Sequence, residues 1–128
     1  MSGVLLDTNI LIDYLRGISP AASYLENSSD ALSISALSLA ELRAGARNDD
    51  EKEVIRDFLL SFDVLPADAA ICETGGDFKA RYGPSHGVDL IDGIIAATSQ
   101  VRQLPLVTLN RKHFPMLDNV IVPYRRRS

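Results

Sequence analysis

Short apolar runs that stop at a polar residue alternate along this chain with stretches whose apolar residues recur at helical spacing, and this alternation narrows the fold more than any other feature. Val4, Leu5 and Leu6 end at Asp7, after which Ile10, Leu11, Tyr14 and Leu15 follow a helical period. A second unit repeats the scheme. Ala31 to Ile34 reads as a strand, Ser35 or Ser38 stands where a helix cap belongs, Ser38-Leu-Ala-Glu41 has capping-box spacing, and Gly45 lies near that helix's end. Asp49 to Glu53 then put acidic residues at the positive end of a helix carrying Val54, Ile55, Phe58, Leu59 and Phe62.

The second half continues the pattern. Asp63 to Leu65 predicts a short strand, and Asp68 a cap for a helix with the stripe Ile71, Gly75, Phe78, Tyr82, ended by Gly83-Pro84. After a loop through His86 and Gly87, the stripe Leu90, Ile94, Ala97, Val101 predicts a helix whose Gly93, Ala96 and Ala97 permit close packing on a sheet. Leu104 to Leu109 and Val120 to Val122 read as buried strands, with a turn at Phe114-Pro115 between them. Strands alternating with helices predict a parallel sheet of about five strands covered on both faces, a three-layer α/β/α sandwich.

The 128 residues predict one domain over 1–128, and 46% hydrophobic with 23% charged residues excludes a disordered chain. Cys72 is the only cysteine, so no internal disulfide and no multi-cysteine zinc site can form, and the residue reads as a core thiol. No run approaches the roughly 18 apolar residues of a membrane span, and Asp7 interrupts any signal-peptide core, so a cytoplasmic protein is expected. With 13 basic and 17 acidic residues the net charge is −4, which leaves no overall basic field for nucleic acid. Two local basic clusters exist. Arg125 to Arg127 read as a solvated tail, and Arg111, Lys112 and His113 as a solvated turn.

Ligands of open α/β sheets bind beyond the carboxyl ends of the strands, where strand order reverses. Asp7 follows the first strand, Asn110 follows the Leu104 to Leu109 strand, and Asp92 falls in the first turn of the helix before it. Glu41 lies among Leu37, Ser38, Ala44 and Gly45, a small and apolar set that predicts a carboxylate turned toward protein. Singly, each has a local explanation: a cap for Asp7, a helix-dipole partner for Asp92, a capping box for Glu41, a turn for Asn110. Gathered at one sheet edge they would repel one another unless a cation joined them. Mg2+ or Mn2+ suits oxygen ligands of this kind, and such a site suits phosphodiester hydrolysis without a protein nucleophile. The remaining inventory agrees, having no Gly-rich phosphate loop and no nucleophile elbow.

Four blocks, VLLDTNILIDYL, SALSLAELRAG, DLIDGIIAATS and LVTLNRKHF, occur in an order and at spacings that resemble the PIN domain family, and more narrowly the VapC-type toxins of bacterial toxin–antitoxin pairs. The resemblance runs from Val4 to Val122. It implies a Mg2+- or Mn2+-dependent endoribonuclease, a homodimer, and inhibition by a VapB-type antitoxin whose C-terminal segment covers the acidic groove. Carried over by residue, Asp7, Glu41 and Asp92 take the family's three acids, the last because Asp92-Gly-Ile-Ile-Ala-Ala matches its third block. Asn110 stands where some relatives have Asp, which keeps a carbonyl oxygen and removes a charge.

Around these, Thr8, Asn9 and Thr108 are candidates to hydrogen-bond the ligands, and Asp89 is read as an N-cap or an outer partner of Asp92. Arg111 faces solvent or a phosphate, His113 anchors its turn with Phe114, and Tyr14 and Phe58 serve core or dimer packing. Two other functions fit parts of the pattern. An Asp-based phosphotransferase of the haloacid dehalogenase type wants a second Asp two residues after the first, where Asn9 stands, and a PIN fold kept only as a binding module would retain the acids as scaffold. Aromatic residues make up only 6% and Trp is absent, so RNA recognition would rest on shape or a dimer groove more than on base stacking.

Overall fold

A computed structural model describes residues 3–126. The strands β1 (Gly3–Leu6), β2 (Ala31–Ser35), β3 (Asp63–Leu65), β4 (Leu106–Val107) and β5 (Val120–Ile121) form one parallel sheet in the order β3-β2-β1-β4-β5. The helices are α1 (Thr8–Leu15), α2 (Ser19–Asn27), α3 (Ala36–Ala44), α4 (Asp49–Leu59), α5 (Ala69–His86) and α6 (Leu90–Arg102), with one 3₁₀ turn at Arg111–His113. Chain order moves outward from β1 to β3, then returns to place β4 on the other side of β1. The reversal therefore lies between β1 and β4, in register Leu5 with Leu106 and Leu6 with Val107.

Period-two alternation along β1 assigns the layers. Val4 and Leu6 pack with Ile10, Leu11, Leu42, Ile55 and Leu59 from α1, α3 and α4, whereas Leu5 meets Ile95, Ala96 and Phe114 on the opposite face. This is the three-layer α/β/α sandwich expected from the alternating pattern. Between α5 and α6 the approach is close: a Cβ at Gly93 would run into the Gly75 carbonyl, and one at Gly75 would sit 2.7 Å from Ile94 Cα. Gly93 thus serves helix–helix contact, while Ala96 alone of the expected small trio packs in the β1–β4 cluster; Ala97 joins Ile71 and Ile94.

Several local expectations are corrected. Helix α5 runs through Gly83-Pro84 to His86 and stops at Gly87 with φ 65°, because a proline in a last turn removes only one terminal hydrogen bond. Strand β4 covers Leu106–Val107 instead of Leu104 to Leu109: Leu104 N–H bonds Ser99 O, and Pro105 has no N–H. Ser35 caps α3, accepting from Leu37 N–H at 3.0 Å, so Ser38 lies inside the helix and the Ser38–Glu41 capping box does not form. Cys72 is exposed, since neighbouring Ile71 takes the buried position. Helix α2 is an element the expected order lacks; Pro20 stands in its first turn, and Ala21, Tyr24 and Leu25 turn to the protein.

Tyr14 and Phe58 stack on each other at 4.9 Å within the chain, joining α1 to α4. The basic tail is not simply solvated. Arg126 holds the buried Asp13 with two bonds, Nη2 to Oδ1 at 2.7 Å and Nε to Oδ2 at 3.2 Å, and Tyr124 donates to Oδ2 at 3.0 Å; Arg127 lies outside the described residues. Burial, then the bond to Asp13, pushes the Tyr124 hydroxyl well above the usual tyrosine range. Arg126→Ala leaves a buried carboxylate short of two donors, and a loss of about 1–3 kcal/mol is expected in denaturant unfolding; unchanged stability would show this clamp idle.

Candidate active site

Asp7 leaves the end of β1 as the N-cap of α1, so the strand's reach and the helix's need for a cap fix it together. It is only 6% exposed. Its Oδ1 accepts Thr8 N–H at 2.8 Å and its Oδ2 accepts the hydroxyl of Thr108 at 2.7 Å. Thr108, fully buried just beyond β4, also accepts Asn110 N–H at 3.1 Å and lies 3.4 Å from Asn9 Nδ2. Asn9 Oδ1 accepts Leu109 N–H at 3.4 Å, so Asn9 holds the turn after β4 and carries no acid function. Burial raises the Asp7 carboxyl above its ordinary range, its two donors pull it back, and the charges of Glu41 and Asp89 raise it further.

Glu41 reaches this site from α3 through one bond, accepting the Thr8 hydroxyl at 2.6 Å. The residue as a whole is exposed, with Ser38 and Leu42 in the buried positions of that face, and its carboxylate meets protein only at the Thr8 hydroxyl. Asp92 stands in the first turn of α6, half-buried, and Asp89 caps the helix by accepting Asp92 N–H at 2.8 Å. The return bond, Asp89 N–H to Asp92 Oδ2, is long at 3.4 Å. Desolvation, then the neighbouring Asp89 charge, push Asp92 up to about 7, and Asp7 adds to the effect. Asp7 thus feels the charges of Glu41 and Asp89, and Asp92 those of Asp89 and Asp7.

Asn110 turns its amide Nδ2 to His113 Nδ1 at 2.9 Å, and that ring nitrogen is 3.3 Å from Asp92 Oδ2. His113 thus touches the acidic site as well as anchoring the turn, a contact that no spacing announces because Asp92 and His113 meet only through the fold. Arg111 gives Nη2 to the Val120 carbonyl at 3.2 Å, tying its turn to β5. Ser38 is the other participant missed: its hydroxyl is 2.8 Å from Thr8 Oγ1. Its spacing of three from Glu41 was the available signal, and it was legible only as a cap.

Among the described residues no group of three or more His, Cys, Asp or Glu side chains forms a ready-made metal cage. An oxygen-only donor set of two carboxylates is nevertheless what Mg2+ usually takes, the rest of its shell being water. Each Asp7 oxygen has one protein donor and a lone pair to spare, and among the described residues neither Asp7 nor Glu41 has an ion-pair partner from Lys, Arg or His.

A five-stranded α/β/α sheet with its acids at the parting of β1 and β4 defines a class, and residues 4–119 match the family described as PIN domain, to which this chain belongs. The chain is 41% identical to Ribonuclease VapC10 of Mycobacterium tuberculosis, over 94% of this chain and 92% of that protein. It is 36% identical to Ribonuclease VapC19 of the same organism, over 94% of this chain and 98% of the relative. A structure titled as a toxin–antitoxin complex from Klebsiella pneumoniae superposes with a TM-score of 0.83 at 31% identity, covering 97% of this chain and 100% of the other. No helix among the described residues is long and apolar enough to cross a membrane.

The Asp92 environment sets a pH dependence. Its folded pKa of about 7 lies above the ordinary 3.8, so between these values the native state holds a proton that the unfolded chain has lost. Asp92's contribution to stability is most favourable below pH 4, declines as pH rises toward 7, and stays unfavourable above it. In EDTA, Asp92→Asn should flatten that decline and melt no lower than wild type at pH 8, since an amide oxygen still accepts from Asp89 N–H. A mutant clearly less stable at pH 8 would make the Asp92 carboxylate a partner of the α6 dipole and nothing more.

Proposed function

We propose that this chain is a Mg2+- or Mn2+-dependent endoribonuclease, the toxin of a toxin–antitoxin pair, kept silent by a VapB-like antitoxin. One observation carries the reading: a desolvated Asp7 shares the β1–β4 parting with Asp92, Asp89 and Glu41, the proton affinity of Asp7 and of Asp92 is raised there, and no Lys or Arg is paired to Asp7, Glu41 or Asp92 among the described residues. Asp7 and Asp92 would hold the ion, and Glu41 would either ligate it or orient a water beside it. Asn110 would offer a carbonyl oxygen once its amide leaves His113. A divalent ion in this place supplies water activation and charge neutralisation on the phosphate. The chain's own part is positional: Thr108 and the Thr8 N–H fix Asp7, the Thr8 hydroxyl fixes Glu41, and Asp89 holds the helix end that carries Asp92.

The antitoxin reading draws on the shape beside the acids. A groove of about 610 Å3 starts at Glu41 and is floored by Ile12, Leu15, Leu42, Val54 and Ile55, with Arg16 and Arg47 also lining it. An apolar segment ending in an arginine fits such a groove, its guanidinium meeting the carboxylates as a charge-assisted pair. The acidic net charge makes this inhibitor's basic end attractive and gives RNA no general electrostatic hold. The phosphotransferase reading loses its acid–base residue, because Asn9 fills that position and is committed to the β4 turn.

Purified wild-type protein is expected to cut single-stranded RNA with Mg2+ or Mn2+ and to stop in EDTA. Asp7→Asn and Asp92→Asn should each lose at least about 100-fold in rate, since a removed ligand costs no less than an outer-shell partner. Asp92→Asn cutting as fast as wild type would overturn the metal assignment, and a wild-type chain that cuts no RNA would leave the binding-module reading. In cells, expression alone should arrest growth and co-expression of the antitoxin should relieve it; free growth with soluble wild-type protein would remove the toxin reading.

A further inference from the structure

We infer that Ser38 is a positioning residue of the acidic site: its buried hydroxyl donates to Thr8 Oγ1 and so holds the Thr8 hydroxyl on Glu41, and through it the place where Glu41 presents its remaining oxygen. The inference rests on the ribonuclease reading and deepens it. Ser38 is fully buried and Thr8 is 6% exposed, so water cannot stand in for a missing partner. A serine inside a helix commonly turns its hydroxyl back to a carbonyl one turn earlier. Ser38 instead faces Thr8 across the gap between α3 and α1 at 2.8 Å.

Proton counting gives the direction. Thr8 has one hydroxyl proton, and Glu41 Oε1, 2.6 Å away, is an acceptor when it belongs to a carboxylate. Thr8 therefore donates to Glu41 and must accept from Ser38, giving a one-way relay from Ser38 through Thr8 to Glu41. The same Thr8 gives its backbone N–H to Asp7 at 2.8 Å, so one residue sets both carboxylates, one by its main chain and one by its side chain. Glu41 depends on the relay more than Asp7 does. It is an exposed helix residue with several open rotamers, and among the described residues Thr8 is the only hydrogen-bond partner of its carboxylate.

Mn2+ binding to the full-length protein, read by titration calorimetry without RNA, tests this, with kcat and KM for RNA cleavage measured beside it. Ser38→Ala should weaken Mn2+ about 10-fold or more and lower kcat with KM unchanged, the size expected of an outer partner. Thr8→Val, which keeps the side chain's shape, should do the same, and Ser38→Ala should add nothing further in the Thr8→Val background because both act through one bond. Ser38→Cys, a weaker donor of similar shape, should fall between and provides the measurement should the alanine variant not fold. Variants that bind Mn2+ and turn over like wild type, with only a lowered melting temperature, would overturn the relay. Failure of the wild type itself to bind Mn2+ or cut RNA would instead sink the underlying ribonuclease reading, so the two failures are distinguishable.

Discussion

An aspartate with almost no access to water sits at the carboxyl end of the central strand, and the arrangement around it follows from what such a group requires. Removing a carboxylate from water costs several kcal/mol unless donors replace the lost hydration. Asp7 obtains two, the Thr8 N–H within its own turn and the Thr108 hydroxyl from the end of the adjacent strand. The second bond crosses the parting of β1 and β4, so the donor exists only when both strands are in register, Leu6 beside Val107. Sheet pairing and the acid's solvation are thus one condition, and Asn9, Asn110 and Glu41 are placed by what Thr8 and Thr108 leave over.

The same crowding has an electrostatic price. Desolvation first, and like charges nearby after it, favour the protonated form of a carboxylate, which is why Asp92 lies near 7 and Asp7 is also raised. A fold that merely capped two helices would have no need to bring α6's first turn within reach of β1's end. Groups whose protonation is displaced by burial together with specific neighbours cluster at functional sites, and here the displacement falls at the crevice where an open parallel sheet binds its ligands.

Strands and acids were largely legible because both follow local rules: an apolar run ends, a polar residue follows, and helical spacing resumes. Asp7 and Asp92 needed only that rule and their positions to be placed at one edge, whereas Asp89 read as a cap beside Asp92 and Glu41 as a helix residue facing protein. What escaped depends on partners distant in the chain. Ser38 reads as a cap until α1 is seen across from it, His113 as a turn anchor until Asp92 arrives, and Arg126 as a solvated tail until it meets Asp13. Pro84 and Cys72 misled for a related reason, since a helix end tolerates proline and a one-residue step around α5 moves a side chain from core to solvent. Helix α2 turns Ala21, Tyr24 and Leu25 to the protein, a stripe of one turn that is too short to announce a helix alone and is held by the core it meets.

Two buried aspartates on one short segment separate scaffold from site. Asp13, 3% exposed, is answered inside the chain by a guanidinium that bonds both of its oxygens, with a tyrosine hydroxyl besides. Asp7, 6% exposed and six residues earlier, is answered by a main-chain N–H and a hydroxyl, neither of them charged, and its neighbours are further acids. The chain can plainly bring an arginine to a buried carboxylate, since it does so at Asp13 from more than a hundred residues away. At Asp7 it does not, although further acids stand beside it. Neutral donors hold the carboxylate in place without cancelling its charge, and a charge that is held but not cancelled is what a site must keep if its cation is to come from outside the chain, whether as a divalent ion or as an inhibitor's arginine.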